Sequence, residues 1–155
     1  MDRHIVALQV QTVNEELRYA MEVMARDIKD SYVMASGTGP IIYLYHPTKN
    51  FNNGECTTSG FLGCLQYKYN SVDKRIEVKG KDDSNFVPLT SSNIEVEKLI
   101  FNIDATAGNA SDQPKVTILI KAKEKKDSKG QSETSIQTTV NQKETINLYQ
   151  GTLNP

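Results

Sequence analysis

The chain contains few side chains of the kinds that perform catalysis or bind metals. Among its 155 residues the only histidines are His4 and His46, there are two cysteines, and tryptophan is absent. Nucleophilic catalysis needs a serine, cysteine or threonine beside a base that a third group orients. His4 stands near the N-terminus, His46 ends a predicted strand before Pro47, and no hydrolase, zinc-protease or phosphate-loop motif is present. The sequence therefore predicts a protein that is not an enzyme.

The two cysteines, Cys56 and Cys64, enclose the short segment TTSGFLG. Their spacing does not indicate zinc, which needs four ligands in pairs about two to four positions apart. A disulfide closing so short a loop would stabilise the fold by about 2–3 kcal/mol on the chain-entropy estimate. It would also imply an oxidising compartment. The spacing favours this disulfide over the alternative of two free thiols in a cytosolic protein.

One predicted loop carries oxygen ligands of the type that calcium prefers, at Asp82, Asp83 and Asn85. The loop lacks the spacing of an EF-hand, which also needs a glycine turn and a distant bidentate glutamate. The alternative interpretation is a solvated turn between two strands. No cofactor is predicted apart from this calcium candidate.

A hairpin rich in tyrosine and lysine is predicted from LQYKYN (65–70) and RIEVKG (75–80), joined by SVDK. Its tyrosines are flanked by basic side chains and could stack nucleobases while the cations follow a phosphate backbone. The basic residues are Lys68, Lys74, Arg75, Lys79 and Lys81. Strand alternation places Tyr67 and Tyr69 on one face and Lys68 on the other, which favours core-facing tyrosines instead. The net charge of −1 gives no general support for binding nucleic acid or an anionic membrane.

These groups must be positioned by one long helix and a set of strands. Near the N-terminus, apolar residues recur every three or four positions. They are Val6, Val10, Val13, Leu17, Ala20, Met24, Ile28 and Tyr32, with Met21 and Ala25 widening the stripe. This spacing predicts an amphipathic helix of about 30 residues that ends before the breaker at 37–40. Such a helix is about 45 Å long and the domain about 30 Å across, so part of the helix should project beyond its own core.

Beyond Pro40 the apolar period changes to two. Strands are predicted at 41–46, 65–70, 75–80, 93–104, 115–123 and 132–142, with a bulge at 97–98, a charged hairpin tip at 124–131 and an extension at 146–149. The prediction is an α+β fold, with a long N-terminal amphipathic α-helix packed across an antiparallel β-sheet of about six strands. The helix spine (1–36) and the sheet region (37–155) form one domain. No run approaches the ~18 apolar residues that cross a bilayer.

Three stretches, in order, resemble one known family. LRYAMEVMARDIKDS resembles the helix of type IV minor pilins and of type II secretion minor pseudopilins, and VPLTSSNIEVEKLIFNID resembles a strand of that family. KVTILIKAKEKKDSKGQSETSIQTTVNQK resembles its paired terminal strands, with Lys143 where arginine is usual. The resemblance spans most of residues 13–143 and is nearest to the PilW-like pilins and the J-type pseudopilins. It implies a pilin-like fold.

The resemblance does not extend to the N-terminus. MDRHIVALQV does not match the family's prepilin-peptidase site, at which cleavage is followed by prepilin-type N-terminal methylation. It also does not match the family's long apolar anchor segment. The simplest interpretation is a truncated ectodomain, cut within the long helix and given Met1 for expression.

The resemblance implies assembly rather than catalysis. It describes a structural subunit of a type IV pilus or a type II secretion pseudopilus, acting in filament priming and tip assembly. Its partners would be other pilin or pseudopilin subunits of the cell envelope. In the intact protein the missing segment would anchor it in the inner membrane before it joins a periplasmic or extracellular filament.

The same resemblance assigns two sets of helix residues. Those expected to pack against partner helices are Ile5, Val6, Leu8, Val10 and Val13. Those expected to pack on the subunit's own sheet are Leu17, Ala20, Met21, Met24 and Ile28. The alternative functions are a tip-located binding module for DNA, a surface or calcium, and a freestanding soluble α+β protein of unknown activity.

Overall fold

One N-terminal helix and two antiparallel sheets make up the described part of the chain. The structure is a computed structural model, and it describes residues 3–35, 37–46, 49, 56, 60–80, 85–104 and 115–141. The elements are α1 (Arg3–Lys29), β1 (Tyr32–Val33), β2 (Gly37–Gly39), β3 (Ile41–Tyr45), β4 (Leu65–Asn70), β5 (Arg75–Lys79), β6 (Val87–Pro88), β7 (Ile94–Asp104), β8 (Lys115–Glu124) and β9 (Thr134–Asn141). Sheet A has the strand order β1-β3-β4-β5-β6, and sheet B has the order β2-β7-β8-β9. The fold is α+β, as predicted.

The helix is nearly as long as predicted but ends earlier. Its last turn carries Arg26 and Lys29, whose positive charges interact favourably with the negative end of the helix dipole. The Ser31 hydroxyl donates a hydrogen bond of 2.5 Å to the carbonyl of Asp27, one of the carbonyls that a helix end leaves unpaired. The prediction that the helix includes Tyr32 is wrong, because Tyr32 begins β1 and pairs with Tyr45 of β3.

The helix packs across sheet B, mainly on β8 and β9. Its buried residues are the ones predicted for this contact, Leu17, Ala20, Met21, Met24 and Ile28. They join one apolar cluster with alternate residues of the long strands, including Leu99, Phe101, Val116, Ile118, Ile120 and Val140. Because side chains of a strand point alternately to its two faces, these residues form one continuous apolar surface beneath the helix.

The strands predicted to form one sheet belong to two sheets. The short strand β2 pairs with β7 in sheet B, whereas β1 before it and β3 after it both belong to sheet A. Gly37, the first residue of β2, has a φ of 121°, a left-handed conformation that favours glycine. The segment 37–40, predicted only as a helix breaker, therefore also carries the chain between the two sheets.

Several local predictions are confirmed. β4 and β5 form a hairpin in which Tyr67 pairs with Val78. The register of β7 against β8 shifts between Val96 and Lys98, which places the predicted bulge at Glu97. β8 and β9 pair along their length. The predicted extension at 146–149 lies outside the described residues.

Candidate functional site

A second apolar stripe lies on α1, on a different face from the residues that are buried against sheet B. Ile5, Leu8, Thr12 and Tyr19 follow one another at intervals of three, four and seven residues, so they share one face of the helix. Ile5 is 48% exposed, Leu8 is 51% exposed and Tyr19 is 60% exposed. We call Ile5, Leu8 and Tyr19 the outer stripe. Large apolar side chains that line up in solvent are typical of a contact surface.

The structure divides the five residues that were predicted for partner contact. Three are exposed, namely Ile5, Leu8 and Val10. Val6 is half-buried. Val13 is fully buried and packs in the same core cluster as Leu17. Its assignment to a partner is wrong, because Val13 and Leu17 lie one turn apart on the same helix face.

The molecule's own core covers more of α1 than was predicted from the length of the helix and the diameter of the domain. Burial begins as early as Gln9, which is 9% exposed. Tyr19 was not among the residues predicted for either helix contact. The pattern that could have identified Tyr19 is its interval of eleven residues from Leu8, which returns to the same helix face after three turns.

A buried polar cluster lies where the C-terminal end of α1 meets sheet A. Asp27 is 2% exposed, and its Oδ1 accepts a hydrogen bond of 2.7 Å from Lys49 Nζ. His46 Nε2 lies 3.8 Å from the same oxygen. Asp27 Oδ2 accepts a short hydrogen bond from the Tyr67 hydroxyl. A buried carboxylate costs several kcal/mol unless it is paired and hydrogen-bonded. We call Asp27, His46, Lys49 and Tyr67 the Asp27 cluster.

Burial sets the protonation states in the Asp27 cluster. Burial, together with the hydrogen bond to Asp27, raises the pKa of Tyr67 far above its usual value, so the phenol remains a donor. Burial also lowers the pKa of His46, although the negative charge of Asp27 opposes this effect. His46 is therefore neutral at pH 7, and the ion pair of the cluster is the one between Asp27 and Lys49.

A carboxylate, an imidazole and a phenol close together are also the groups of general acid–base catalysis. Here Asp27 and Tyr67 are each 2% exposed, so a substrate cannot reach them. We interpret the cluster as a structural connection between the helix and sheet A. The cluster was not among the sequence predictions, although Asp27 stands three residues after Met24 and thus on the apolar face of the helix. A charged residue on that face was the pattern that could have revealed it.

A second buried carboxylate stabilises sheet A from within. Glu77 is 3% exposed and receives hydrogen bonds from Arg75 Nε at 2.6 Å and from the Asn70 side chain at 3.0 Å. Burial alone would raise the pKa of Glu77, but these hydrogen bonds and the charge of Arg75 outweigh it and lower the pKa. The carboxylate is therefore ionised at neutral pH and fixes the β4–β5 hairpin.

The hairpin proposed for stacking nucleobases turns its tyrosines inward. Tyr67 is buried, and Tyr69 is half-buried with its hydroxyl donating a hydrogen bond of 2.7 Å to the carbonyl of Val96. Lys68 Nζ lies 3.9 Å from the centre of the Phe86 ring. Neither tyrosine ring is placed to stack on a base, in agreement with the strand alternation.

Cys56 and Cys64 form a disulfide, the pairing that their spacing favoured. Both are buried beside Met34 in a second, smaller core. Aromatic side chains pack around it, namely Tyr32, Tyr43, Tyr45 and Phe61. The rings of Tyr43 and Phe61 stack with their centres 4.1 Å apart. Because Tyr43 alternates with the main-core residues Ile42 and Leu44, this second core lies on the opposite face of sheet A.

The structure places only one of the three calcium candidates in the described part of the chain. Asp82 and Asp83 lie outside it, and Asn85 is exposed. Within the described residues, no three histidine, cysteine, aspartate or glutamate side chains are grouped as metal ligands. In the same residues, no helix is long and apolar enough to cross a membrane.

The fold and sites define a class: an α+β protein with an N-terminal helix and two antiparallel sheets. Comparison with known proteins gives no match. No family model fits the chain, and neither a curated protein nor a solved structure is significantly similar to it.

Proposed function

We propose that this protein is a non-enzymatic structural subunit of a pilin-type filament, a minor pilin or pseudopilin that acts in filament priming and tip assembly. The observation that carries the proposal is the presence of two apolar faces on α1. One face is buried on sheet B, and the other is the exposed outer stripe. A helix that packs only on its own sheet needs one apolar face, so the exposed second face supports the proposal of an apolar partner outside the subunit.

The first turns of α1 support the same interpretation. Ile5, Leu8 and Val10 are exposed on more than one side of the helix, and Val6 is half-buried between them. A helix that is apolar on several sides is typically surrounded by other apolar elements. The disulfide supports the same proposal, because disulfides persist in oxidising compartments, of which the cell envelope is the one proposed here.

Site-specific photocrosslinking in the native cell tests the proposal. A photoreactive amino acid replaces Leu8 in one strain and the exposed Lys126 at the β8–β9 hairpin tip in a control strain. We expect position 8 to capture chains that themselves carry an N-terminal apolar helix, identified by mass spectrometry. If position 8 captures no such chain, or captures the same proteins as position 126, the proposal fails.

A functional variant tests the same surface. Leu8→Glu places a charge on the outer stripe and, because Leu8 is exposed, should change the free energy of unfolding by less than about 0.5 kcal/mol. It should nevertheless abolish filament formation or secretion, whereas Lys126→Glu should not.

The gene gives an independent test: the reading frame upstream of the Asp2 codon should encode a short basic leader and an apolar segment. A frame without them contradicts the proposal.

A further inference from the structure

Three segments enclose a groove of about 660 Å³ at one end of the molecule. They are the β4–β5 turn, the segment 88–95 that leads into β7, and Lys125, which follows β8. The volume falls within the ~300–1,000 Å³ typical of ligand sites. The lining combines apolar residues (Val72, Pro88 and Ile94) with three cations (Lys74, Arg75 and Lys125) and two carboxylates (Asp73 and Glu95).

Backbone hydrogen bonds connect the walls of the groove. The N–H of Val96 donates to the carbonyl of Lys74 at 2.9 Å, which joins the β4–β5 turn to β7. The N–H of Lys125 donates to the carbonyl of Asn93 at 2.9 Å, which joins the end of β8 to the segment before β7. The protein's own backbone therefore holds the walls in place, and a preformed groove lowers the entropic cost of binding a ligand.

Side chains fix the remaining wall. The N–H of Ser91 donates to the Glu16 carboxylate at 3.0 Å, and the Ser91 hydroxyl bonds to the same carboxylate. The Thr90 hydroxyl oxygen accepts a hydrogen bond of 3.2 Å from the N–H of Ile76. The helix and β5 thus both hold the segment that carries the groove's hydroxyl groups.

The cations of the groove differ in how far they are already paired. Arg75 Nε lies 2.6 Å from the Glu77 carboxylate, so the guanidinium is largely neutralised. Lys74 Nζ is 3.9 Å from Glu95 and its side chain is 52% exposed, which leaves it able to bind another anion. Lys125 is exposed and forms no ion pair with any residue that the structure describes. The two lining carboxylates are themselves paired, because Asp73 lies 3.9 Å from Arg75 and Glu95 lies 3.9 Å from Lys74. The remaining capacity for carboxylates therefore belongs to Lys125 and, in part, to Lys74.

We propose that this groove binds an acidic peptide segment, with Lys74 and Lys125 receiving its carboxylates and Val72 and Pro88 contacting its aliphatic side chains. A nucleic acid is less suited to the groove, because single strands bind on aromatic rings and none of the described lining residues is aromatic. A peptide of alternating acidic and aliphatic residues matches both chemistries, since an extended chain presents the two kinds of side chain on opposite sides. The proposal does not depend on the pilin assignment.

The test titrates the ¹⁵N-labelled protein with the peptide acetyl-Glu-Val-Glu-Val-Glu-Val-amide and follows the amide resonances. We expect saturable shifts at 72–75, 90–95 and Lys125. Lys125→Glu, at an exposed position, and Lys74→Glu should each weaken binding about tenfold, because each replaces a cation with an anion. Lys115→Glu is the matched control. It makes the same charge change at the opposite end of β8, about 30 Å away, and should leave the affinity unchanged.

Several outcomes would overturn the proposal. The absence of saturable shifts would do so, as would equal binding of acetyl-Lys-Val-Lys-Val-Lys-Val-amide, since charge would then play no part. If the Lys125→Glu variant keeps its affinity and its spectrum is otherwise intact, Lys125 does not bind the carboxylates of the peptide. Tighter binding of an oligonucleotide or a polyuronate at the same amides would assign the groove to another class of anion.

Discussion

Sheets A and B share one apolar core but are connected to the rest of the molecule by different interactions. Sheet B has long strands, β7, β8 and β9, of eleven, ten and eight residues, and its inner face meets α1 through apolar side chains. The strands of sheet A have at most six residues. Sheet A adds the Asp27 cluster, the buried carboxylate of Glu77 and the disulfide.

This difference shows how strand length changes what a fold requires. Each additional pair of residues in a strand adds one more side chain to the buried face, and apolar burial increases roughly with the area removed from water. Short strands provide less of this area, and hydrogen bonds, ion pairs and one covalent bond hold sheet A in addition to its apolar contacts. Those interactions respond to pH and to reductants, whereas the contact between α1 and sheet B should not.

The largest effect on the free energy of unfolding should come from the apolar contact between α1 and sheet B. Phe101 is fully buried on β7, so Phe101→Ala should lower the free energy of unfolding by about 3–5 kcal/mol through lost burial and the resulting cavity. Urea unfolding measures this change. Asn102→Ala is the control, because Asn102 is the next residue on the same strand and is exposed. Equal effects of the two substitutions would contradict the role assigned to the inner face.

The second effect tests the covalent connection. Replacing both Cys56 and Cys64 with serine should lower the free energy of unfolding by about 2–3 kcal/mol, because the unfolded chain regains loop entropy. Hydrogen exchange should then rise more at β1 and β3 than at β8, since the disulfide packs beside Tyr43 and Tyr45. Reductant should reproduce the change in the original protein. A free energy of unfolding that reductant leaves unchanged would show that the disulfide does not stabilise the fold.

The third effect tests the Asp27 cluster. Tyr67→Phe removes the hydroxyl that donates to a buried carboxylate and should cost about 1–3 kcal/mol in unfolding free energy. Tyr69→Phe is the matched control on the same strand, because its hydroxyl donates to the uncharged carbonyl of Val96. Its cost should be smaller, about 0.5–1.5 kcal/mol. A larger loss for Tyr69→Phe would reverse our ranking of the two bonds.

The smallest effect concerns pH. Burial lowers the pKa of His46 from its usual 6.5, so below that pH the unfolded chain binds a proton that the folded protein does not. The contribution of neutral His46 to the free energy of unfolding should therefore be completely present above about pH 6.5. It should be lost as the pH decreases through the folded-state pKa. Urea unfolding at about pH 7.5 and 5.5 measures this loss. It should be smaller in His46→Gln, and an equal loss in both proteins would show that His46 contributes nothing.

The features that the sequence predicted correctly are those that depend on neighbouring residues. The spacing of Leu17, Ala20 and Met24 marks the buried face of α1, and alternation marks both hairpins and the bulge at Glu97. The division into two sheets could not be predicted in this way. It depends on β2, a strand of three residues that is too short to show a period and that pairs across 64 positions, from Thr38 to Asn102.

The candidate sites follow the same division. The resemblance assigned Ile5 and Leu8 to a partner surface, and both are exposed, but the burial of Val13 depends on where sheet B ends along the helix. The Asp27 cluster joins residues from α1, β4 and the chain after β3. The groove likewise needs Lys74, Ser91 and Lys125 to meet.

The amino-acid sequence alone determined the helix, the strand pairs that are neighbours in the chain and the positions of the two cysteines, because periodicity and short loops act over a few residues. Tertiary structure decided which sheet each strand joins, which polar groups are buried together and which apolar side chains remain exposed. The physical reason is that burial depends on the surfaces that meet after folding, and these surfaces come from distant parts of the chain. The outer stripe was therefore visible in part as a pattern, but only the packing of α1 on sheet B showed that it is exposed.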